Sequence, residues 1–152
     1  MSEECIRCGA KCCRYFCHEI DTPESYEDFE NIRWFIMHKG VSVHVDEKRW
    51  YMAVVAPCIH LRPDNRCGIY EDRPLICRQY GHDSCEASDG DYGYEIEFTT
   101  AAHVEAYARE KLGEKTFLRE RSKHRLKAEK AKLKASGKSI SAGASASSGR
   151  AR

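Results

Sequence analysis

Cysteines are the residues of this sequence that are best suited to chemistry. The 152-residue chain contains nine of them, and five lie between Cys5 and Cys17 in the pattern C-x2-C-x3-C-C-x3-C. The second group is looser and consists of Cys58, Cys67, Cys77 and Cys85. Cysteine thiolates are soft ligands that select zinc, copper(I) or iron–sulfur centres. Two residues separate Cys5 from Cys8, which lets one tight turn direct both sulfurs at one metal.

Disulfide bonds are the alternative use of so many cysteines. The N-terminus has no basic segment followed by an apolar one, so no secretory signal is expected. The longest apolar run, around residues 52–55, is too short to cross a bilayer. We therefore expect a cytoplasmic protein without a membrane partner, in a reducing compartment where dense cysteine indicates metal binding or catalysis before disulfides. An odd number of cysteines also argues against a closed disulfide framework.

More than one metal atom is expected. In extended backbone the adjacent side chains of Cys12 and Cys13 point to opposite sides, so both reach a single ion only with a strained backbone. The predicted ligands also outnumber the four thiolates of a tetrahedral zinc site. Arginines and a lysine flank many of the cysteines, where positive charge favours thiolates, and Arg73 and Arg78 are expected to face inward. The predicted metal ligands are Cys5, Cys8, Cys12, Cys13, Cys58, Cys67 and Cys77.

Two elements between the cysteine groups must bring them together. A helix is predicted with Thr22 as its N-cap, Pro23 in its first turn and Gly40 after its end, because apolar residues recur between them at helical spacing. Alternation of apolar and polar residues predicts a hairpin of two strands, 41–45 and 49–55. After Cys58, residues 63–66 form a strong turn signal, and residues 72–77 predict a short helical turn.

The second half of the chain is predicted to hold a third strand over 92–98 and two helices. The first helix is capped by Thr99 or Thr100 and closed by Gly113, and the second runs over about 114–135. Residues 119–152 carry eleven Lys or Arg and two Glu, a net charge of +9, whereas residues 1–118 carry −8. The fold class is α+β: a small metal-stabilised domain with cysteine-rich loops, a short antiparallel sheet and a basic C-terminal helix. We expect a metal-binding domain over 1–118, a basic helical extension over 119–135 and a disordered tail over 136–152.

Two motifs resemble a known family, the YkgJ-type cysteine-cluster proteins, also described as the CxxCxxCC putative zinc- or iron-chelating domain. Three residues stand between Cys8 and Cys12, where the family has two. The resemblance covers roughly residues 5–80 and implies binding of zinc or an iron–sulfur centre. The first motif is carried by Cys5, Cys8, Cys12 and Cys13, and the second by Pro57-Cys58, Leu61, Cys67-Gly68-Ile69-Tyr70, Arg73-Pro74 and Cys77-Arg78.

Three functions remain open at this stage. The favoured one is a protein that binds zinc or an iron–sulfur centre for structure, sensing, storage or electron transfer. The second is a metal-dependent protein-modifying enzyme or its accessory subunit, since a related cysteine region occurs in flagellin lysine N-methylases. A mixed site of such an enzyme could recruit His18, His60 or His82. The third is association with nucleic acid through the basic segment from Arg119 to Lys138, and a protein partner is also left open.

Overall fold

The fold class is α+β, as the sequence predicts, and the described part of the chain contains four antiparallel strands and four helices. The computed structural model describes residues 6–79 and 94–141. Two single 3-10 turns, Lys11–Cys13 and Tyr70–Asp72, lie within the cysteine-bearing segments. The strands are β1 Tyr15–Ile20, β2 Val41–Asp46, β3 Arg49–Val55 and β4 Ile96–Phe98, and the helices are α1 Tyr26–Ile36, α2 Leu75–Gln79, α3 Ala101–Leu112 and α4 Glu114–Ser141.

The sheet has the strand order β1-β3-β2-β4. Strands β2 and β3 form the predicted hairpin, and its two loop residues, Glu47 and Lys48, both have positive φ, as a two-residue turn of this kind requires. Directly paired residues share one face of a sheet. Val43 is opposite both Met52 and Phe98, and Val45 is opposite Trp50, so these apolar side chains line the same face.

Helix α1 packs on that face and completes the core. The ring of Phe29 meets the edge of Trp50 at 6.3 Å, and Trp50 stacks on Phe98 at 5.3 Å. Tyr26, Phe29, Ile32 and Ile36 are the buried residues of α1, at helical spacing. The sheet and α1 therefore fold around an ordinary hydrophobic core.

Three details of this region differ from the sequence-based prediction. Ser25, not Thr22, caps α1, because its hydroxyl and the carboxylate of Asp28 form a capping box. The helix ends at Ile36, and Gly40 serves instead as a positive-φ residue against Val55. Strand β1 was not predicted at all, since four of its six residues are exposed and no apolar alternation marks it.

The chain divides into two compact units, Met1–Ala106 and Tyr107–Arg152. In the first, the Thr100 hydroxyl accepts a hydrogen bond from the His103 amide and caps α3 as predicted. In the second, Gly113 has a φ of 79° and separates α3 from α4, and Arg109 lies over the ring of Phe117. Helix α4 continues to Ser141, beyond the predicted end at residue 135. Residues 142–152 of the expected tail, like residues 92 and 93 of the third strand, lie outside the described residues. No helix in the described ranges is long and apolar enough to cross a membrane.

Candidate metal centre

Strand pairing brings the two cysteine groups together. Strand β1 begins two residues after Cys13, and β3 ends three residues before Cys58. Because Tyr15 is opposite Val55 in the antiparallel pair, the segments that precede β1 and follow β3 leave the sheet at the same end. The Cys58 amide donates a hydrogen bond to the Cys13 carbonyl oxygen at 2.7 Å. The unpredicted strand β1 is thus the element that places the first motif beside the second.

The first cysteine loop, residues 6–14, contains a tight turn instead of extended backbone. Ala10 is buried and left-handed, with φ 53° and ψ 46°, and starts the 3-10 turn of Lys11–Cys13. A left-handed alanine costs roughly 1–2 kcal/mol, so this backbone is strained. Successive side chains of a 3-10 helix diverge by about 120°, less than in a strand. The premise that Cys12 and Cys13 point to opposite sides is therefore wrong, and their side chains are joined by a hydrogen bond.

The second cysteine loop, residues 56–79, begins with a narrow turn that holds Cys67. Leu61 pairs with Cys67 as an isolated antiparallel bridge, and the Gly68 amide donates to the His60 carbonyl oxygen at 2.8 Å. A Cβ on Gly68 would lie 3.2 Å from that same oxygen, which explains the glycine after Cys67. Asn65 takes a positive φ in the turn between them, as the sequence signal predicts.

Two arginines brace the part of this loop that carries Cys77. The Arg73 guanidinium lies 3.7 Å above the Tyr70 ring, and its Nε donates to the Tyr70 carbonyl oxygen at 2.8 Å. Arg78 donates to the carbonyl oxygens of Arg73 and Glu71. These bonds fold the chain back around α2. Both guanidinium groups thus have a backbone role that the sequence did not indicate.

One further arginine joins the two cysteine loops. Arg14 donates from Nε to the Gly9 carbonyl oxygen at 2.6 Å and from a terminal nitrogen to the Asn65 side-chain oxygen at 2.7 Å. The sequence assigned Arg14 only a charge-balancing role and Asn65 only a turn. Their partnership spans 51 residues of sequence, so no local pattern could reveal it.

The pKa of the Cys13 thiol is affected by thiols of both cysteine motifs. Burial is the largest cause that raises the pKa of the Cys13 thiol, and its hydrogen bond with Cys12 opposes the rise. The nearby thiols of Cys58, Cys67 and Cys77 raise the pKa of Cys13 further, because negative charges would repel one another. Cys13 thus lies among cysteines of both motifs. A soft dication is the group that would relieve this repulsion, so the donor set suits zinc or an iron–sulfur centre.

The cysteines gather loosely at the surface. Cys8, Cys13 and Cys67 are half-buried, whereas Cys12, Cys58 and Cys77 are exposed. Among residues 6–79 and 94–141, no three Cys, His, Asp or Glu side chains form a group that could hold a metal ion as they stand. The structure therefore makes Cys13 a neighbour of Cys12, Cys58, Cys67 and Cys77 without arranging the sulfurs at ligand distances. The seven-residue ligand set stays a prediction.

The remaining candidates are placed differently. Cys8 lies in the first loop, just before Gly9, whose carbonyl Arg14 binds. Cys17 is exposed in β1 opposite Ala53, on the sheet face away from Val43 and Phe98. The predicted ligand Cys5, together with His82 and Cys85, lies outside the described residues.

Comparison with known proteins agrees with this chemistry. A family model described as "CxxCxxCC: Putative zinc- or iron-chelating domain" matches residues 4–102, which is more than half of the chain. No curated protein and no solved structure matches the sequence. The match confirms the resemblance found in the two cysteine motifs. The chain belongs to this CxxCxxCC family.

Proposed function

Because the chain belongs to this family, we propose that it binds zinc or an iron–sulfur centre through its two cysteine loops. The proposed ligands are Cys5, Cys8, Cys12, Cys13, Cys58, Cys67 and Cys77. The single observation that carries the proposal is the 2.7 Å hydrogen bond from the Cys58 amide to the Cys13 carbonyl oxygen, which joins two cysteine motifs that are 45 residues apart in sequence. Unrelated buried cysteines have no reason to converge in this way.

Metal binding would also stabilise the loops that supply the ligands. Thiolates close to one another repel, and a bound cation converts that repulsion into attraction. The free energy of metal binding becomes folding free energy when the site is incomplete without the metal. Residues 1–118 would then form the metal-binding domain. Its role would be structural, or in sensing, storage or electron transfer.

More than one metal atom remains our proposal. Seven thiolates exceed the four of one tetrahedral zinc site, so they suit two neighbouring sites or a polynuclear cluster. The 3-10 turn gives the side chains of Cys12 and Cys13 directions that are neither parallel nor opposite. Such directions suit sulfurs that bridge or bind adjacent metal atoms.

Anaerobic purification of the full chain tests the proposal. We would measure metal content, acid-labile sulfide and the visible spectrum of the wild type and of three variants. Iron with sulfide and colour identifies a cluster, whereas a colourless protein with one or two zinc ions per chain identifies zinc. Cys13→Ser and Cys67→Ser should lose most of the metal. Cys17→Ser, at an exposed position of β1, should keep it.

Two results would contradict the proposal. One is a wild-type protein with no metal and with all thiols titratable or oxidised to disulfides. The other is equal metal content in Cys13→Ser, Cys67→Ser and Cys17→Ser, because binding would then not depend on the converging cysteines. Circular dichroism of each variant separates loss of ligands from loss of fold.

A further inference from the structure

Helix α4 carries a row of basic residues, which is a feature independent of the cysteines. Its ten basic residues are not evenly distributed: Arg121, Arg125 and Lys132 lie on one side, and a longer row lies on the other. Five of them follow one another at intervals of four, four, three and four residues, which places them in a single stripe along the axis. The members of this basic stripe are Arg119, Lys123, Lys127, Lys130 and Lys134.

The outer part of the basic stripe has no acidic residue at the helical spacing that would pair with it, since Glu129 lies on another side of the helix. Arg119 and Lys123 contact Glu120 at 3.2 and 3.1 Å, but such exposed pairs contribute little and leave the charges available. No Asp or Glu stands three or four residues from Lys127, Lys130 or Lys134. These three lysines are exposed. The stripe therefore presents a line of positive charge to solvent.

Over residues 119–136 of α4, whose side chains the structure describes, there is no comparable apolar face. Leu126 and Leu133 lie on one side of α4, and they are 56% and 72% exposed. A helix that binds to a membrane surface or to an apolar groove needs a wider hydrophobic stripe than two leucines. Charge is therefore the property by which a partner would recognise this helix.

We propose that the basic stripe binds the phosphate backbone of a nucleic acid without reading its sequence. From Arg119 to Lys134 the helix rises about 22 Å, at about 1.5 Å for each step along the chain, and this length faces roughly six phosphates of one strand at about 3.4 Å per phosphate. The stripe offers five cations over that length. Residues 1–118 carry a net charge of −8 and would repel a polyanion, so the affinity must come from the basic arm. Aromatic residues are absent from the stripe, which fits backbone contact without base stacking.

Fluorescence anisotropy with the full-length chain tests the inference. The probes are a 30-nucleotide RNA strand and a 30-base-pair DNA duplex, each titrated between 50 and 200 mM salt. Neutralising about five phosphates predicts a slope of log K against log salt near −3.5 for the strand and near −4.5 for the duplex. Tighter binding of one probe identifies the kind of nucleic acid. Binding to vesicles of anionic lipid with neither nucleic acid bound would overturn the proposal.

Two double variants distinguish an effect of the basic stripe on affinity from an effect of net charge. Lys127→Gln with Lys134→Gln removes two stripe cations, whereas Arg125→Gln with Lys132→Gln removes two cations from the opposite side of the helix, beside Glu129. We expect the first pair to lower affinity about tenfold and the salt slope by about 2, and the second pair to have a much smaller effect. Equal losses of affinity in the two double variants would overturn the proposal that the basic stripe is the binding surface.

A third variant tests whether the helical arrangement matters. Ala131→Pro leaves every charge in place but interrupts the helix, since proline costs about 3 kcal/mol in a helix interior. Affinity should fall along with helicity at 222 nm. Unchanged affinity would show that any flexible basic segment suffices and that the stripe does not exist in the bound state. Metal content should not change in any of these variants.

Discussion

The sheet with α1 and the two cysteine loops belong to one unit of the chain, but they are stabilised by different means. The sheet buries Val43 and Phe98 completely. No residue from 55 to 79 is buried, and Ile59, Leu75 and Ile76 are 91%, 77% and 64% exposed. Burial of apolar side chains stabilises a fold by about 1.5–3 kcal/mol each. The sheet has this source of stability, and the second cysteine loop does not.

What holds the loops is a small number of polar contacts. They are the backbone bond between Cys58 and Cys13, the Arg14 bonds to Gly9 and Asn65, and the arginine bonds around α2. Exposed hydrogen bonds contribute about 1 kcal/mol each, which does not offset the entropy of ordering some thirty residues. The sheet therefore positions the loops, and a bound metal would have to fix their final shape.

Removal of the metal should produce the largest difference between the cysteine loops and the sheet with α1. With a chelator present, amide exchange across residues 57–79 should accelerate by about a thousandfold or more, because structural zinc sites contribute on the order of 10 kcal/mol. Amides of β2 and β3 should stay protected, since their core is complete without the loops. Hydrogen exchange read by mass spectrometry distinguishes the segments. Equal acceleration in both regions, or in neither, would mean that the metal does not stabilise the loops selectively.

A cavity in the hydrophobic core should instead destabilise the sheet region. Phe98→Ala removes a fully buried ring that stacks on Trp50 and should lower the free energy of unfolding by about 3–5 kcal/mol. Ile59→Ala truncates an equally apolar side chain in the cysteine loop. Because Ile59 is 91% exposed, it should change stability by less than about 0.5 kcal/mol. Urea unfolding of the metal-loaded proteins measures both. A large loss from Ile59→Ala would show that the loop packs against something in solution.

The contact between the loops should tune the metal site without affecting the sheet. Arg14→Gln loses the bonds to Gly9 and Asn65, so metal affinity should fall about five- to tenfold, which corresponds to roughly 1 kcal/mol. Arg66→Gln is the matched control, since the Arg66 guanidinium forms a local, exposed ion pair with Asp64 at 3.8 Å. Competition with a chromophoric chelator gives both affinities. If Arg14→Gln and Arg66→Gln lower the metal affinity equally, the effect comes from overall charge and not from the contact between the loops.

How much the sequence predicts also differs between the two regions. In the sheet, alternation at Val41, Val43 and Val45 and the helical spacing of α1 report burial, so the hairpin and the helix were predicted correctly. Strand β1 was missed because its residues pair by backbone bonds that leave most side chains exposed. The helix caps at Thr100 and Gly113 are local motifs and were found.

In the cysteine loops, residue type predicted the chemistry, but the geometry did not follow from it. Spacing identified the family motifs, which the family model confirms. The turn at Cys12 and Cys13 depends on a left-handed Ala10, a conformation that alanine rarely adopts and that no sequence rule predicts. Contacts such as that of Arg14 with Asn65 join distant segments and depend on the strand pairing. Local patterns therefore determine elements, whereas the site arises from the way those elements are paired.

The smallest expected effect distinguishes two candidate caps of α1. Ser25→Ala removes the hydroxyl half of the capping box and should destabilise the sheet region by about 1 kcal/mol, whereas Thr22→Ala, at the residue that the sequence favours, should be nearly neutral. The Asp28 carboxylate accepts hydrogen bonds from the side chain of Ser25, which has the larger effect, and from its backbone amide. These bonds hold the pKa of Asp28 below its ordinary value of 3.8. A lowered pKa stabilises the folded state above about pH 3.8, and this stabilisation disappears as the pH falls through the folded value. Ser25→Ala should therefore cost less stability at pH 3 than at pH 7, when both are measured by urea unfolding. A cost that does not change with pH would mean that the Asp28 carboxylate takes no part in the cap, and a cost for Thr22→Ala as large as that for Ser25→Ala would place the start of α1 three residues earlier.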